Sequence, residues 1–177
     1  SVMKEKQKRL LMELCPNTRI CMHYGLTEAS RSTFIEFNME KTKLHTIGKP
    51  SPGVEIKVVN ESGEKVRVNE SGLLAIKSPS VMQGYWRNRE LTDKAVIKNW
   101  LITDDIGKFD NDGYIILTGR NKDILNIGGL KFFPQEVEKI IMKFKGITDV
   151  AVIGYKTDND DVFDTKIKAM YVSKENL

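Results

Sequence analysis

The chain contains 177 residues, of which 40% are hydrophobic and 29% charged, and its formal net charge is +4. This composition is typical of a folded globular protein with one domain or slightly more, and the scattered basic residues do not predict a nucleic-acid partner. No apolar run approaches the ~20 residues of a membrane span, and no cleavage site follows the basic cluster at residues 4–9. We therefore expect no transmembrane segment and a cytoplasmic location.

The first 53 residues predict a helix, a short strand and a long connection. Residues 3–14 form an amphipathic pattern whose apolar members share one side of a helix: Met3, Leu10, Leu11 and Leu14. The charged residues of the helix are expected on the opposite, solvated face. Residues 19–24 predict a strand that ends at Gly25, so residues 26–28 lie at a strand edge, where α/β sheets hold ligands. Residues 29–53 have little periodicity and predict a surface connection.

The cysteines and histidines do not predict a metal or nucleophilic centre. Cys15 and Cys21 have a spacing that matches no zinc or redox motif, and we expect both to be reduced thiols in the core. The chain has only two histidines, His23 and His45, and nothing in the sequence orients them. Both are interpreted as structural or solvated residues.

Short strands predict a β unit between about residues 46 and 119. Apolar or alternating runs occur at residues 54–59, 72–77, 100–103 and 113–118. Turn residues separate them, most clearly the Asn/Asp/Gly-rich stretch at residues 110–113. Four or more short strands at this spacing indicate a small barrel-like unit.

Residues 118–123 mark a joint between this β unit and a different kind of structure. An apolar loop at residues 124–127 leads to Gly128 and Gly129, and Pro134 is well placed in the first turn of a helix. The helix is predicted from its apolar period, which ends at Gly146 and has these members: Val137, Ile140, Ile141 and Phe144. Strands at residues 150–154 and 166–172 follow, separated by an acidic loop.

Without any family comparison, few residues of the sequence suggest a catalytic or binding site. Neither the Gly-rich phosphate loop nor the dinucleotide fingerprint occurs. Thr27 and Glu28 offer a hydroxyl and a carboxylate that could meet a phosphate and its magnesium, although from the residues alone a polar turn is the favoured interpretation. Asp105 could accept two hydrogen bonds from a ribose diol and Arg120 could assist, although both also suit an ordinary surface.

Taken together, however, the order and spacing of four motifs resemble the adenylate-forming superfamily. This superfamily comprises acyl-CoA synthetases, nonribosomal-peptide adenylation domains and firefly-type luciferases, and the chain is most similar to an AMP-forming acyl-CoA ligase. The motifs are Tyr-Gly-Leu-Thr-Glu at 24–28, Gly-Leu-Leu-Ala-Ile-Lys at 72–77 with Gly-Tyr-Trp at 84–86, Thr-Asp-Asp at 103–105, and Gly-Arg-Asn-Lys-Asp at 119–123 leading through the paired glycines to Glu-Val-Glu at 136–138.

The resemblance implies a role for each residue that matches a motif. In the nucleotide site, Tyr24, which precedes Gly25 in the motif, would stack on adenine. Thr27 would contact the α-phosphate, and Glu28 would bind Mg²⁺. Asp105 would hold both ribose hydroxyls, with Arg120 near the ribose. Lys122 would be the hinge about which a small C-terminal domain swings, and Gly128 and Gly129 would leave room for the arm of coenzyme A.

The implied reaction has two halves. A carboxylic acid attacks ATP to give an acyl-adenylate and pyrophosphate, and the thiol of CoA then displaces AMP. ATP/AMP, Mg²⁺ and CoA are thus the expected cofactors and substrates. Two alternatives remain open: a standalone adenylation enzyme that loads an acyl or peptidyl carrier protein, and a noncatalytic nucleotide-binding or docking module.

The sequence departs from the family in three ways. Asp104 stands where the family has glycine, so Asp105 is the ribose ligand by register and Asp104 is its competitor. The upstream phosphate loop and the C-terminal catalytic lysine have no counterpart, so we expect a fragment that is inactive alone. The expected fold mixes α/β and β: the end of an α/β subdomain at residues 1–45, a small distorted β-barrel at 46–119, and a hinge with an incomplete α+β domain at 120–177.

Overall fold

The computed structural model describes residues 3–127, 129–155 and 166–173, and the chain divides into two compact units, Ser1–Thr118 and Gly119–Leu177. The helices in these residues are α1 (Glu5–Leu14), α2 (Arg89–Ala95) and α3 (Pro134–Ile141). The strands are β1 (Cys21–Tyr24), β2 (Thr33–Glu36), β3 (Lys49–Pro50), β4 (Glu55–Val59), β5 (Gly72–Lys77), β6 (Val96–Ile97), β7 (Trp100–Phe109), β8 (Ile115–Arg120), β9 (Leu125–Ile127), β10 (Leu130–Phe132), β11 (Ile147–Tyr155) and β12 (Lys166–Ser173). None of the described helices is long and apolar enough to cross a membrane.

Helix α1 forms where its period predicted a helix, but it buries a different face. Leu10 and Leu14 are 52% and 68% exposed, whereas Lys8 is fully buried. The Lys8 ammonium donates hydrogen bonds to the carbonyl oxygens of Leu44 at 2.6 Å and Thr46 at 3.3 Å. The predicted solvated basic face is therefore wrong at Lys8, because backbone carbonyls replace the water that the charge loses on burial.

The predicted surface connection at residues 29–53 is also wrong. Strand β2 pairs antiparallel with β1 and with β3, which gives a three-stranded sheet. Ile35 of β2 and three residues between β2 and β3 are at most 2% exposed: Phe37, Leu44 and Ile47. The irregular backbone between β2 and β3 is satisfied by threonines, because Thr33 Oγ1 donates to Ile47 O and Thr46 Oγ1 to Lys43 O.

A five-stranded antiparallel sheet forms the rest of the first unit, in the order β4-β5-β7-β6, and β8 also pairs with β7. The mixed α/β and β fold class is confirmed, but among the described residues these strands do not close into a barrel. The sequence did not reveal α2, β6 or the two-residue turn at Lys98 and Asn99, whose φ angles of 50° and 65° suit a tight hairpin. The division of residues 1–119 at residue 45 stays a prediction.

The second unit contains two hairpins and one helix. A 3₁₀ turn at Asn121–Asp123 precedes β9 and β10, which pair where the sequence predicted a loop. Helix α3 starts at Pro134 as predicted and ends at Ile141, before the predicted stop at Gly146. Strands β11 and β12 form an antiparallel hairpin, and the acidic loop between them lies outside the described residues.

The cysteines correct a further prediction. Cys15 and Cys21 are unpaired thiols, but both are exposed rather than part of the core. Cys15 follows the last residue of α1, and Cys21 lies at an exposed position of β1, where alternate residues point away from the buried face. His23, by contrast, has the predicted structural role, with its Nδ1 3.1 Å from Thr33 O and its ring 5.0 Å from that of Phe34.

Candidate functional site

The turn after β1 carries the first group of candidate residues. The Leu26 N–H donates to Ala29 O at 2.9 Å, and the Ala29 N–H donates to Leu26 O at 3.2 Å, so the chain reverses tightly here. A Cβ at Gly25 would lie 2.5 Å from the backbone nitrogen of Arg31, which explains why a glycine occupies this position. The turn leaves Thr27 exposed and Glu28 half-buried.

A β-bulge in β7 carries the second group. Leu73 of β5 pairs with Ile106 and Ala75 pairs with Ile102, so residues 103–105 of β7 lie opposite the single residue Leu74. Asp105 and Ile106 are consecutive yet both buried, at 8% exposure each, which breaks the normal alternation of a strand. The Asp105 N–H donates to Thr103 Oγ1 at 3.1 Å, so the bulge is held internally. Bulges commonly redirect a side chain beside an active site.

These two groups meet through Tyr24 and Asp105. The Tyr24 hydroxyl donates to Asp105 Oδ2 at 2.6 Å, a short bond of the kind that charge assistance gives. The Tyr24 ring packs against buried cores that include Leu74 and Ile76. Two residues that the sequence predicted separately, for adenine and for ribose, therefore lie in direct contact.

A second phenol contacts Glu28, the carboxylate of the turn. The Tyr85 hydroxyl donates to Glu28 Oε1 at 2.8 Å, and the Met82 N–H donates to Glu28 O at 2.8 Å. Burial raises the pKa of Tyr85, and the negative charges of Glu28 and Asp104 raise it further. Sequence reasoning gave Tyr85 no role, and its only signal was its place in the Gly-Tyr-Trp motif at residues 84–86.

Asp104 occupies the bulge without a left-handed backbone. The described non-glycine residues with positive φ are Arg31, Asn69, Arg87, Lys98 and Asn99. Asp104 is not one of them, so the conformation of this bulge does not require the glycine that the family resemblance predicted. Because its charge acts on Tyr85, Asp104 contributes a third carboxylate to the same region as Glu28 and Asp105.

The remaining candidates belong to the second unit. Arg120 ends β8 and Lys122 lies within the 3₁₀ turn, and both are exposed. Gly129 has a φ of 86° and open space around it, whereas Gly128 lies outside the described residues. Gly119 is crowded instead, because a Cβ there would lie 2.4 Å from the Phe133 ring.

The arrangement is thus an acidic site, on a mixed α/β scaffold, in which two tyrosine hydroxyls hold two carboxylates. In the described part of the chain, no three His, Cys, Asp or Glu residues are grouped so that they alone could hold a metal ion. A divalent cation at Glu28 would need further oxygen ligands from a substrate or from water.

Comparison with known proteins identifies the family. Residues 1–86 match the family described as AMP-binding enzyme. The chain is 35% identical over 133 residues to a long-chain-fatty-acid–CoA ligase of Salmonella typhimurium, covering 74% of this chain and 23% of the relative. It is 39% identical over 155 residues to an acyl-CoA ligase of Ajellomyces capsulatus, covering 83% and 26%.

Solved structures of CoA synthetases are also similar to this chain. The o-succinylbenzoate CoA synthetase of Bacillus subtilis, in complex with its acyl-adenylate intermediate, matches 95% of this chain and 34% of its own length, with a TM-score of 0.78 and 26% identity. The same enzyme with ATP and magnesium matches with a TM-score of 0.77 and 26% identity, over 96% of this chain and 35% of its own. The chain belongs to the adenylate-forming family of AMP-binding enzymes. It spans about a quarter of the length of the curated relatives it matches.

Proposed function

We propose that this chain supplies the nucleotide side of an AMP-forming acyl-CoA synthetase, which activates a carboxylic acid as its adenylate and passes the acyl group to CoA. The observation that carries the proposal is the contact of Tyr24 with Asp105 beside the Thr27-Glu28 turn. It brings an aromatic ring, a hydroxyl and two carboxylates to one place, which is the set of groups that a nucleotide with its cation requires. The acyl-CoA ligase relatives support the reaction class.

Asp105 is the proposed ribose ligand. A carboxylate has about four lone-pair sites, so an oxygen that already accepts from the Tyr24 hydroxyl retains the capacity to accept from a sugar hydroxyl. Asp105 is 8% exposed and held within the bulge, so its position is set before the nucleotide binds. This pre-organisation reduces the ordering cost of binding.

Thr27 and Glu28 are proposed to meet the phosphates and their magnesium. Mg²⁺ is usually bound by one or two carboxylates together with substrate phosphates and water. Glu28 fits this pattern, because it is half-buried at an accessible turn, and among the described residues no hydrogen bond engages its Oε2. The cation, when bound, would neutralise charge that develops on the phosphates. The exposed Thr27 hydroxyl would donate to a phosphate oxygen.

The second unit is proposed to serve the thiol half of the reaction. Lys122 lies at an exposed turn only four residues after the end of the first unit, which is where a hinge between two compact units would fall. The open backbone at Gly129, with its neighbour Gly128, would pass beside the arm of CoA, and Arg120 would approach the ribose. These four assignments come from the family resemblance.

The test is ATP–pyrophosphate exchange by the whole protein with a panel of carboxylic acids. Asp105→Asn should lower exchange about 100-fold with ATP, because a charge-assisted pair of hydrogen bonds to the diol is lost. With 2′,3′-dideoxy-ATP, which lacks the diol, wild type and Asp105→Asn should be almost equally slow. Asp104→Asn is the matched control and should retain discrimination between the two nucleotides.

Three outcomes would count against the proposal or a part of it. Absence of exchange with every acid would favour a noncatalytic nucleotide-binding module. Loss of ribose discrimination in Asp104→Asn but not in Asp105→Asn would transfer the ribose role to the competitor. A thioester formed with a pantetheinylated carrier protein but not with CoA would identify the acceptor as a carrier protein.

A further inference from the structure

Tyr85 lies at the candidate site and belongs to the Gly-Tyr-Trp motif, but the family resemblance assigned it no role. Its hydroxyl donates to Glu28 Oε1 at 2.8 Å across a separation of 57 residues. The phenol is half-buried, so this bond is sheltered from competing water. Because the bond occupies Oε1, it holds the carboxylate in one orientation.

The backbone of Tyr85 is itself fixed by helix α2. The Tyr85 N–H donates to Thr92 Oγ1 at 2.9 Å, and the same hydroxyl donates to Asn88 O at 2.9 Å. Asn88 caps the helix, because its Oδ1 accepts from the Leu91 N–H at 3.0 Å. Tyr85 is thus anchored by a short capped helix at one end and contacts Glu28 at the other.

A close approach between the loop and the helix makes this anchor possible. A Cβ at Gly84 would lie 3.0 Å from both Cγ2 and Oγ1 of Thr92, so a side chain there would push the loop away from α2. The loop before Tyr85 is also tied to the turn, through the hydrogen bond from the Met82 N–H to Glu28 O. The phenol and the carboxylate therefore face each other across two segments whose backbones are already joined.

We infer that Tyr85 is a positioning residue for Glu28, which holds the carboxylate so that Oε2 is the atom presented to the cation of the bound nucleotide. This inference rests on the proposed function, because it needs Glu28 to bind that cation. A carboxylate that is already ordered by a hydrogen bond binds a metal without a further loss of rotamer freedom. Tyr85 does not itself touch the cation or the substrate.

A merely structural role for Tyr85 predicts a different result. If the phenol only joined the loop to the turn, its loss would weaken binding of the nucleotide with and without metal to the same extent. If it acts through Glu28, the loss should appear only when the metal is present. The discriminating measurement is therefore the affinity for Mg·ATP compared with the affinity for ATP in excess EDTA.

The experiment uses isothermal titration calorimetry on the whole protein, with wild type, Tyr85→Phe, Glu28→Gln and the double variant. Tyr85→Phe should weaken Mg·ATP binding about tenfold, as the loss of an outer hydrogen bond to a metal ligand typically does. Binding of ATP in EDTA should change less than about twofold. In the Glu28→Gln background, Tyr85→Phe should have no further effect, because the group through which it acts is gone.

Tyr114→Phe is the matched control. Tyr114 lies in the same unit and is 7% exposed, and burial together with the nearby Glu40 carboxylate raises the pKa of its phenol. Removing this hydroxyl should leave the ratio of the two ATP affinities unchanged. If Tyr85→Phe is too unstable for calorimetry, Thr92→Val removes the hydroxyl that anchors Tyr85 and should shift the ratio in the same direction.

The outcomes separate the two proposals. Equal weakening of Mg·ATP and metal-free ATP by Tyr85→Phe, or an undiminished effect of Tyr85→Phe in the Glu28→Gln background, would overturn the positioning role while the ligase proposal stands. If wild type showed no preference for Mg·ATP, or if Glu28→Gln did not reduce it, the assignment of the cation to Glu28 would fail first. The positioning role of Tyr85 would then fail with it.

Discussion

The two compact units hold their candidate residues by different means. In the first unit, two buried clusters pack against Tyr24, and a hydrogen bond joins Tyr24 to Asp105, which is far away in the sequence. In the second unit, the buried members of the described residues are Pro134 and Val152. Its candidate residues lie on turns and strand ends held by local hairpins. The first unit thus fixes a geometry through burial, and the second presents an exposed backbone.

This difference also concerns stability. A unit of about 60 residues buries a smaller fraction of its surface than a larger domain does, so its stability is more marginal. The second unit exposes large apolar side chains on both α3 and its second hairpin, for example Ile140 at 58% and Tyr171 at 52%. The contrast predicts that substitutions in the first unit act mainly on stability and nucleotide binding, and that those in the second act on a later step.

The largest effect should come from Lys122→Pro, which tests whether the joint acts as a hinge. Proline restricts φ, so a turn that must rotate between two states is held in one of them. We expect thioester formation to fall about 100-fold while adenylate formation changes less than about threefold. Single-turnover assays of each half-reaction in the whole protein would measure the two rates.

Lys122→Ala is the control for the proline variant. It removes the side chain but leaves φ free, so both half-reactions should remain close to wild type. Equal loss of both half-reactions in Lys122→Pro would show that this residue serves the whole site rather than a hinge, and the contrast between the units would lose its functional meaning.

Lys8→Met should produce the next largest effect, on the stability of the first unit. The substitution leaves the carbonyl oxygens of Leu44 and Thr46 without the buried ammonium that now donates to them. Leaving a buried acceptor without its donor typically lowers the free energy of unfolding by about 2 kcal/mol. Urea unfolding would measure this, and Arg9→Met, in an exposed ion pair with Glu5, should change it by less than about 0.5 kcal/mol.

The pH dependence gives an independent check on Lys8. Burial lowers its pKa below the ordinary 10.5, and nearby Glu5 offsets this only in part. Between the lowered pKa and 10.5 the unfolded chain binds more protons than the native one, so stability should rise with pH in that window. Lys8→Met should lack this rise in stability. If the wild-type protein also lacked the rise, the Lys8 ammonium would be hydrated rather than buried.

Asp110→Asn should have a smaller effect on stability, which is present above about pH 4 and disappears in acid. Burial raises the pKa of Asp110, but the hydrogen bonds from Lys43 and from the Tyr114 and Asp112 N–H groups outweigh it, so the net pKa is lowered from 3.8. This stabilisation is present above about pH 4 and is lost as the pH falls through the lowered pKa.

Acid unfolding of the two proteins would test the Asp110 prediction. On unfolding, wild type should take up at most about one proton more than Asp110→Asn does. Potentiometric titration during acid unfolding measures this number directly. Asp112→Asn is the matched control, since its carboxylate also contacts Lys43 but is 65% exposed, and it should alter the proton uptake less. Equal uptake by wild type and Asp110→Asn would contradict the assignment.

The parts of the fold that the sequence predicted have strong local signals. Pro134 and the apolar period after it predicted the start of α3, and the Asn/Asp/Gly stretch at residues 110–113 predicted the turn between β7 and β8. The motifs predicted Tyr24, Glu28 and Asp105 as site residues by resemblance, and the structure places Tyr24 against Asp105.

What the sequence did not predict depends on contacts between distant residues. Within residues 29–53 the strands β2 and β3 are short, and threonine hydroxyls bond backbone carbonyls of the irregular stretch between them, so no long periodic pattern marks this segment. Residue type alone predicts an exposed Lys8, and only the carbonyl groups 36 and 38 residues away explain its burial. Tyr85 reaches Glu28 across 57 residues, and no local pattern records that pairing.

The smallest effect should come from Ile140→Ser, in the second unit. Ile140 follows the apolar period of α3 and was expected on its buried face, yet it is 58% exposed. Because an exposed side chain makes few buried contacts, its replacement should change the free energy of unfolding by less than about 0.5 kcal/mol. Leu74→Ala, fully buried in the first unit, is the matched comparison and should cost about 3 kcal/mol. If Ile140→Ser destabilised the whole protein as much as Leu74→Ala does, α3 would be covered there, and the exposed face of the second unit would be an interface.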